Sequence, residues 1–315
     1  MPEPRLNLRT LVIGGSGYIG MYLVPILIES GRSVSVLGRK KLLTQELPNE
    51  ANYISGDFGD IELIKELLKT HDEVIHMAYA SVPNTSYENP LGDLLENLPP
   101  AVQLFSVAAE AGIKLLFVSS GGTVYGEPES LPISESHPTK PISPYGLTKL
   151  TLENYARLYS ITKSLKFLCV RPANAFGIGQ VPFKGQGFIS TAIASIIRGG
   201  AVDLYGENGT IRDYVYVSDL AYGIFKVLDS GVLGETYNIG SGIGMSNLDV
   251  ILRFKPILED MGFKIQINNL PPRSFDVAKN VLDSKKIKEH TGWKESISFD
   301  EGLLLTVRWL MESYA

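Results

Sequence analysis

A single cysteine, Cys169, in 315 residues excludes a disulfide framework and any multi-cysteine zinc or iron–sulfur site. No surplus of basic charge is present either. Twenty-nine lysines and arginines stand against 34 acids, a net charge of -5, which argues against a nucleic-acid partner. No apolar run reaches the ~18 residues of a membrane span. The opening MPEPRLNLRT is too short for a signal peptide. These absences predict a cytoplasmic protein with no metal centre, no nucleic-acid partner and no membrane insertion. What is present is ordinary for a globular chain: 44% hydrophobic and 20% charged residues, enough for a sizeable core.

Short apolar runs at residues 10–13, 33–37, 51–55, 73–77, 115–119 and 166–170 read as strands. Helical spacing appears at 18–28, 61–68 and 91–111, and Pro99-Pro100 is expected to kink or interrupt the last of these. Strands alternating with helices predict an α/β fold, a Rossmann-type doubly wound parallel sheet with both faces covered. Beyond residue 172 the texture changes. Residues 177–187 are glycine-rich and read as loop. Helical stretches at 188–198, 220–228 and 299–314 then mix with strands at 202–205, 235–238 and 264–267. Residues 1–172 are expected to form the first domain and 173–315 a smaller C-terminal lobe.

Residues 11–20 read L-V-I-G-G-S-G-Y-I-G. Gly14, Gly17 and Gly20 recur every third residue between a strand and a helix, and Gly15, Gly17 and Gly20 also match G-x-G-x-x-G. Such a loop brings backbone close to a pyrophosphate and aims a helix N-terminus at it. Gly14, Gly17, Tyr18, Ile19 and Gly20 are therefore candidate cofactor contacts. A glycine turn without a ligand is the alternative; the position after the first strand favours a dinucleotide. An NAD site places an acidic residue at the end of the second strand, on the ribose 2′-OH. Here that strand ends Gly38-Arg39-Lys40-Lys41. Arg39 and the lysines suit a 2′-phosphate, or form a solvated basic turn, so the cofactor is written NAD(P).

Tyr145 and Lys149 stand four residues apart, on one face of a helix. An ammonium there is expected to lower the phenol from ~10 toward neutrality, giving a base for a hydroxyl proton during hydride transfer. Residues 117–126, F-V-S-S-G-G-T-V-Y-G, place hydroxyls at a strand end. His76 reads as a buried, hydrogen-bonded strand histidine.

On these motifs the chain resembles the extended short-chain dehydrogenase/reductase family, and within it the UDP-sugar 4-epimerases. The resemblance also rests on Asp57-Phe58, V-I-H-M-A-Y-A at 74–80, Arg171-Pro-Ala-Asn174, Arg212-Asp-Tyr-Val-Tyr-Val and Arg273-x-x-Asp276. It implies Asp57 and Phe58 near the adenine, Ala78, Tyr79 and Ala80 beside the cofactor, and Asn97 close behind. It implies Asn174, Arg212 and Arg273 on a nucleotide diphosphate, with Asp276 on its ribose. Guanidinium forks suit such oxygens, although loop arginines are often merely solvated. Tyr205 is either a uracil stack or a plain core aromatic. A homodimer through the helices around 91–111 and 145–161 is the family expectation, as is tightly bound NAD.

Two departures stand out. Many members carry the tyrosine's hydroxyl partner where this chain has Gly121; Ser120 is the favoured replacement and Thr123 the second choice. The acid after the second strand is also missing. In these epimerases the residue seven beyond the second arginine borders the sugar's C2 substituent. Here it is Asn280, whose size admits an N-acetyl group. The resemblance thus implies C4 inversion of UDP-GlcNAc and UDP-GalNAc, and of the plain UDP-hexoses. A 4,6-dehydratase needs an acid–base pair where Gly121-Gly122 stand. A ketoreductase uses the same Tyr–Lys pair, and a non-catalytic cofactor sensor commonly loses it.

Overall fold

The computed structural model describes residues 8–41, 47–273 and 276–314. The first half runs β1 (Arg9–Ile13), α1 (Gly20–Glu29), β2 (Ser33–Gly38), β3 (Asn52–Ser55), α2 (Ile61–Leu68) and β4 (Glu73–His76). It continues with α3 (Pro83–Glu88), α4 (Pro90–Glu110), β5 (Lys114–Val118), α5 (Pro144–Thr162) and β6 (Lys166–Pro172). Next come β7 (Asn174–Phe176), α6 (Phe188–Ile197), β8 (Val202–Tyr205), β9 (Ile211–Tyr216), α7 (Val217–Ser230) and β10 (Thr236–Ile239). The chain ends with β11 (Gly244–Ser246), α8 (Asn247–Asp260), β12 (Ile267–Leu270), β13 (Lys279–Asn280), α9 (Lys285–Thr291) and α10 (Phe299–Tyr314).

Among the described residues a seven-stranded sheet has the order β10-β6-β5-β4-β1-β2-β3, parallel throughout. The chain winds outward from β1 to β3 and then returns to β4 on the other side of β1. Such a switch point leaves a crevice at the carboxyl ends of the strands. Alternation along each strand supplies two cores. Val12, Val36, Ile75, Leu116 and Val170 meet α1 and α7 on one face. Leu11, Ile13, Leu37, Phe117 and Cys169 meet α2, α4 and α5 on the other. A third cluster joins β8 and β9 to α6, α8 and α10 and forms the lobe.

Three expectations change. The sheet does not finish by residue 172, because β10 pairs with β6 from Thr236↔Cys169 to Ile239↔Pro172, and α7 covers the first face. Tyr237, Asn238 and Ile239 are fully buried by that pairing; burial of this run completes the sheet edge. The proline pair does not interrupt α4, which is continuous through Pro99 and Pro100. The carbonyls those prolines leave without a helical donor belong to Leu95 and Glu96, both exposed, so the missing bonds fall on the solvent side of the helix. The strand expected at 264–267 lies at Ile267–Leu270, paired with β8, since Phe263 and Ile265 are drawn into the lobe core instead. Among the described residues no helix is long and apolar enough to cross a membrane.

Candidate active site

The carboxyl ends of β1, β4, β5 and β6 open onto a cavity of about 500 Å³, closed on its far side by β7, β9 and the start of α6. Gly14, Gly17, Tyr18, Ile19 and Gly20 line one wall, with Tyr79 near them. Ser120, Thr123, Tyr145 and Lys149 line the middle, and Asn174, Arg212 and Asp276 the lobe side. Residues from seven separated motifs therefore share one space.

The glycine loop is a close-approach device. Gly14 has φ +89, and a Cβ there would lie 2.7 Å from Ala78 N; at Gly20 it would lie 2.2 Å from Gly15 O. Gly14 N donates to Leu37 O at 2.9 Å, which fastens the loop to the end of β2. Bare backbone at the head of α1 fits a dinucleotide pyrophosphate.

Ser143 caps α5 by accepting from Gly146 N at 3.0 Å, and Pro144 begins the helix. Tyr145 thus sits in the first turn, its N–H donating to Ser86 Oγ at 3.2 Å. Lys149 is one turn on. Its Nζ donates to Val118 O at 2.8 Å and stands 4.1 Å from the Tyr79 ring centroid and 5.7 Å from that of Tyr145. The expectation of a lowered phenol is corrected. Burial first, and the Asp93 charge second, push Tyr145 up. Burial likewise draws Lys149 down from 10.5 to about 7. Desolvation of both groups outweighs their mutual help.

Asp93, in the first turn of α4, is a residue the sequence reading missed. Only 3% exposed, it accepts from Thr148 Oγ1 at 2.7 Å, from Tyr79 OH at 3.5 Å and from Ser81 Oγ. Tyr79 in turn meets Tyr145 edge-on, ring centroids 4.8 Å apart. Asp93 therefore holds the layer of side chains behind the Tyr–Lys pair.

Gly121 leaves no room for the hydroxyl that many members carry there. A Cβ would meet Leu282 Cδ1 at 2.4 Å and Arg171 O at 2.9 Å. Ser120 and Thr123 both border the cavity, and Thr123 Oγ1 is buried without a partner.

Other expected site residues lie outside the cavity lining. Asn97 Oδ1 accepts from Ala80 N at 2.9 Å, so it shapes the loop after β4. Asp57 Oδ1 accepts from Gly59 N at 2.8 Å, and Phe58 packs 5.0 Å from His76. Arg39 is exposed beyond β2. Tyr205 is covered by the Arg273 guanidinium, 3.6 Å from its ring centroid, so the two form a stacked pair. Asn280, expected beside the sugar, is 1% exposed, and its Nδ2 donates to Gly121 O at 2.9 Å. The β13–β9 pairing, Asn280↔Arg212, draws it behind the wall. His76 is buried as expected, yet its Nδ1 has no partner. Phe58, Phe105 and Phe117 surround it, and burial lowers it from 6.5 to about 3. Among the described residues no group of three His, Cys, Asp or Glu side chains is placed to hold a metal ion.

A glycine cradle on the first strand, a buried Tyr–Lys pair and a hydroxyl-bearing strand end sharing one cavity define an enzyme of the extended short-chain dehydrogenase/reductase type. The chain belongs to the NAD dependent epimerase/dehydratase family, which it matches over residues 10–240. It is similar to the UDP-glucose 4-epimerase of Mycolicibacterium smegmatis, 30% identical over 308 residues, covering 95% of this chain and 97% of that one. Its fold matches the crystal structure of the Thermotoga maritima UDP-glucose 4-epimerase with UDP-glucose. That TM-score is 0.90 at 31% identity, over 98% of this chain and 100% of the other. The UDP-N-acetylglucosamine 4-epimerase of Methanobrevibacter ruminantium, in complex with UDP-N-acetylmuramic acid, gives TM-score 0.87 at 25% identity, over 98% and 99%.

Proposed function

We propose that the protein inverts C4 of UDP-hexoses, UDP-GlcNAc and UDP-GalNAc among them. The observation that carries this is the shared cavity. The glycine cradle and the Tyr145–Lys149 pair face Asn174, Arg212 and Asp276 across it. A dinucleotide, when bound, supplies the hydride acceptor and donor for C4. As the phenolate, Tyr145 takes the C4 hydroxyl proton and later returns it, Ser120 shares that proton, and the Lys149 ammonium favours the phenolate. Arg212 serves the diphosphate; two carbonyls, Ile211 O and Val277 O, hold its Nη1 at 2.9 and 2.7 Å and so fix the fork. The Tyr205–Arg273 pair closes the nucleotide end. A dehydratase is disfavoured, because Gly121-Gly122 offer no acid–base pair and Gly121 has no room for a side chain. Exposed Leu91 and Leu95 on α4, with Leu147, Leu158 and Ile161 on α5, support a homodimer through these adjacent helices.

The test is incubation with UDP-GlcNAc and with UDP-Glc separately, without added reductant, and chromatography of the products. Formation of the C4 epimer is expected. A 4-keto-6-deoxy product, or none, would remove the proposal.

Ser120→Ala is expected to lower kcat about tenfold or more, and Thr123→Ala by less. The reverse ranking in steady-state assays would transfer the hydroxyl's role to Thr123.

Substrate breadth is attributed to the small residue at 280. Asn280→Tyr overfills a buried site behind Gly121 and is expected to push that wall toward the substrate. The ratio of kcat/KM for acetylated over plain UDP-sugars is expected to fall about ten- to a hundredfold. An unchanged ratio would mean that position 280 does not border C2.

A further inference from the structure

On the reading of the cavity as the place where Tyr145 takes up a hydroxyl proton, we propose that Asp93 is a positioning residue for the Tyr145–Lys149 pair. Its carboxylate fixes Tyr79 and Thr148 against the pair and, from behind them, holds the pair's proton in place. The first turn of α4 brings it there, with Asp93 N donating to Asn89 O at 3.0 Å. Oδ2 accepts from Thr148 Oγ1 at 2.7 Å and from Tyr79 OH at 3.5 Å, and Oδ1 accepts from Ser81 Oγ. Thr148 directly precedes Lys149. The Tyr79 ring centroid stands 4.1 Å from Lys149 Nζ and 4.8 Å from the Tyr145 centroid. All three donors are hydroxyls, so they hold the carboxylate without cancelling its charge.

The other groups around the pair leave that charge unanswered. Glu153, one turn beyond Lys149 on α5, is paired with Arg171 of β6 at 2.6 Å. Burial pushes the Cys169 thiol of β6 up, which keeps it neutral. His76, at the end of β4, is drawn down to about 3 by burial and by Lys149, and is neutral too. Tyr79 is a buried phenol, likewise pushed up. From β5 and α3 the pair meets Val118 O and Ser86 Oγ, which carry no charge. Among the described residues Asp93 is therefore the carboxylate that bears on both members of the pair uncompensated. Its effect has one sign. Whichever group gives up a proton, the pair loses one unit of positive charge, and a neighbouring carboxylate raises the pH at which that happens.

Asp93→Asn keeps the size and offers partners to the three hydroxyls, but removes the charge. In the holoenzyme the acid limb of kcat/KM for a UDP-hexose is expected to move down by about one pH unit. Asp93→Ser, which drops the charge with a smaller side chain, should move it the same way and serves if Asp93→Asn does not fold. Thr148→Val removes one hydrogen bond and leaves the charge, and is expected to lower kcat without moving the limb. A second readout needs no sugar nucleotide. The tyrosinate absorbance of the dinucleotide-bound protein is titrated against that of Tyr145→Phe, with and without Asp93→Asn. The difference isolates Tyr145, and its midpoint is expected to fall by the same interval. A limb or a midpoint that stays in place, or an equal shift in Thr148→Val, would overturn the proposal and leave the epimerase assignment intact. A lowered midpoint in a protein that turns over no UDP-hexose would uphold the role of Asp93 and overturn that assignment.

Discussion

Tyr145→Phe is expected to lower kcat with a UDP-hexose by roughly 10²-fold or more, the range of general acid–base catalysis. The substitution is close to a single-atom change. The ring keeps its edge contact with Tyr79, centroids 4.8 Å apart, and the helix start remains tied by Ser86 and Ser143. Cofactor affinity and the unfolding midpoint should therefore stay near those of the parent protein, which separates lost chemistry from lost structure. Burial pushes the phenol up, so the phenolate that accepts the C4 hydroxyl proton forms only once its own proton has been released to solvent, under the positive charge of Lys149 and of the nicotinamide that would be bound. Lys149 at about 7 means that this charge is only partly present near neutrality. Steady-state kinetics with direct dinucleotide titration is the measurement. A loss of only a fewfold would assign the proton transfer to another group.

Glu153→Gln is expected to cost stability instead, by about 3–5 kcal/mol, as when one member of a buried ion pair is removed. Glu153 lies one turn beyond Lys149, and its side chain is 7% exposed. It accepts from Arg171 Nη2 at 2.6 Å, from Arg171 Nε at 3.1 Å and from Ser119 Oγ. Arg171 Nη1 donates to Tyr125 OH at 2.8 Å, and Tyr125 OH donates to Asn238 Oδ1 at 2.7 Å. The network links α5, the end of β5, β6 and β10. Glutamine keeps the shape but leaves the guanidinium buried without its counter-charge. Adding Arg171→Met should recover most of the loss, because the remaining cost is that of an unpaired charge. Urea unfolding at constant m-value is the check. An unchanged midpoint would show that water reaches Arg171.

Features set by local chemistry were legible before the fold. The glycine spacing after residues 10–13 locates the turn because tight backbone approach is a property of neighbouring residues. The i, i+4 Tyr145–Lys149 pair is a helical neighbour relation. What depends on distant chain was harder to read. The strand at 236–239 is visible as a strand, but its place beside β6 is a pairing across the whole lobe. Asp93 reads locally as an ordinary acid in a first helical turn, where the helix dipole already explains it; only the folded chain brings Tyr79, Ser81 and Thr148 to it. The direction of the Tyr145 shift is not legible in the sequence for the same reason, since burial is a tertiary quantity. Gly121 looked like a missing catalytic hydroxyl, whereas the position is occupied on all sides by Leu282, Arg171 and Pro172.

The late arrival of β10 has a consequence for the order in which the chain is made. When β6 has left the ribosome, its outer edge still presents unpaired backbone groups beside Cys169 and Val170, the residues that later pair with Thr236 and Tyr237. An open, apolar strand edge is a template for the wrong partner. At ~5–20 residues per second, several seconds pass before Thr236 is synthesised. During that interval β7 to β9 and α7 emerge first, and the lobe must leave the edge clear. The nascent protein therefore passes through a state in which the nucleotide-binding layer is nearly formed yet sealed on only one side, the interval when a chaperone has most to protect.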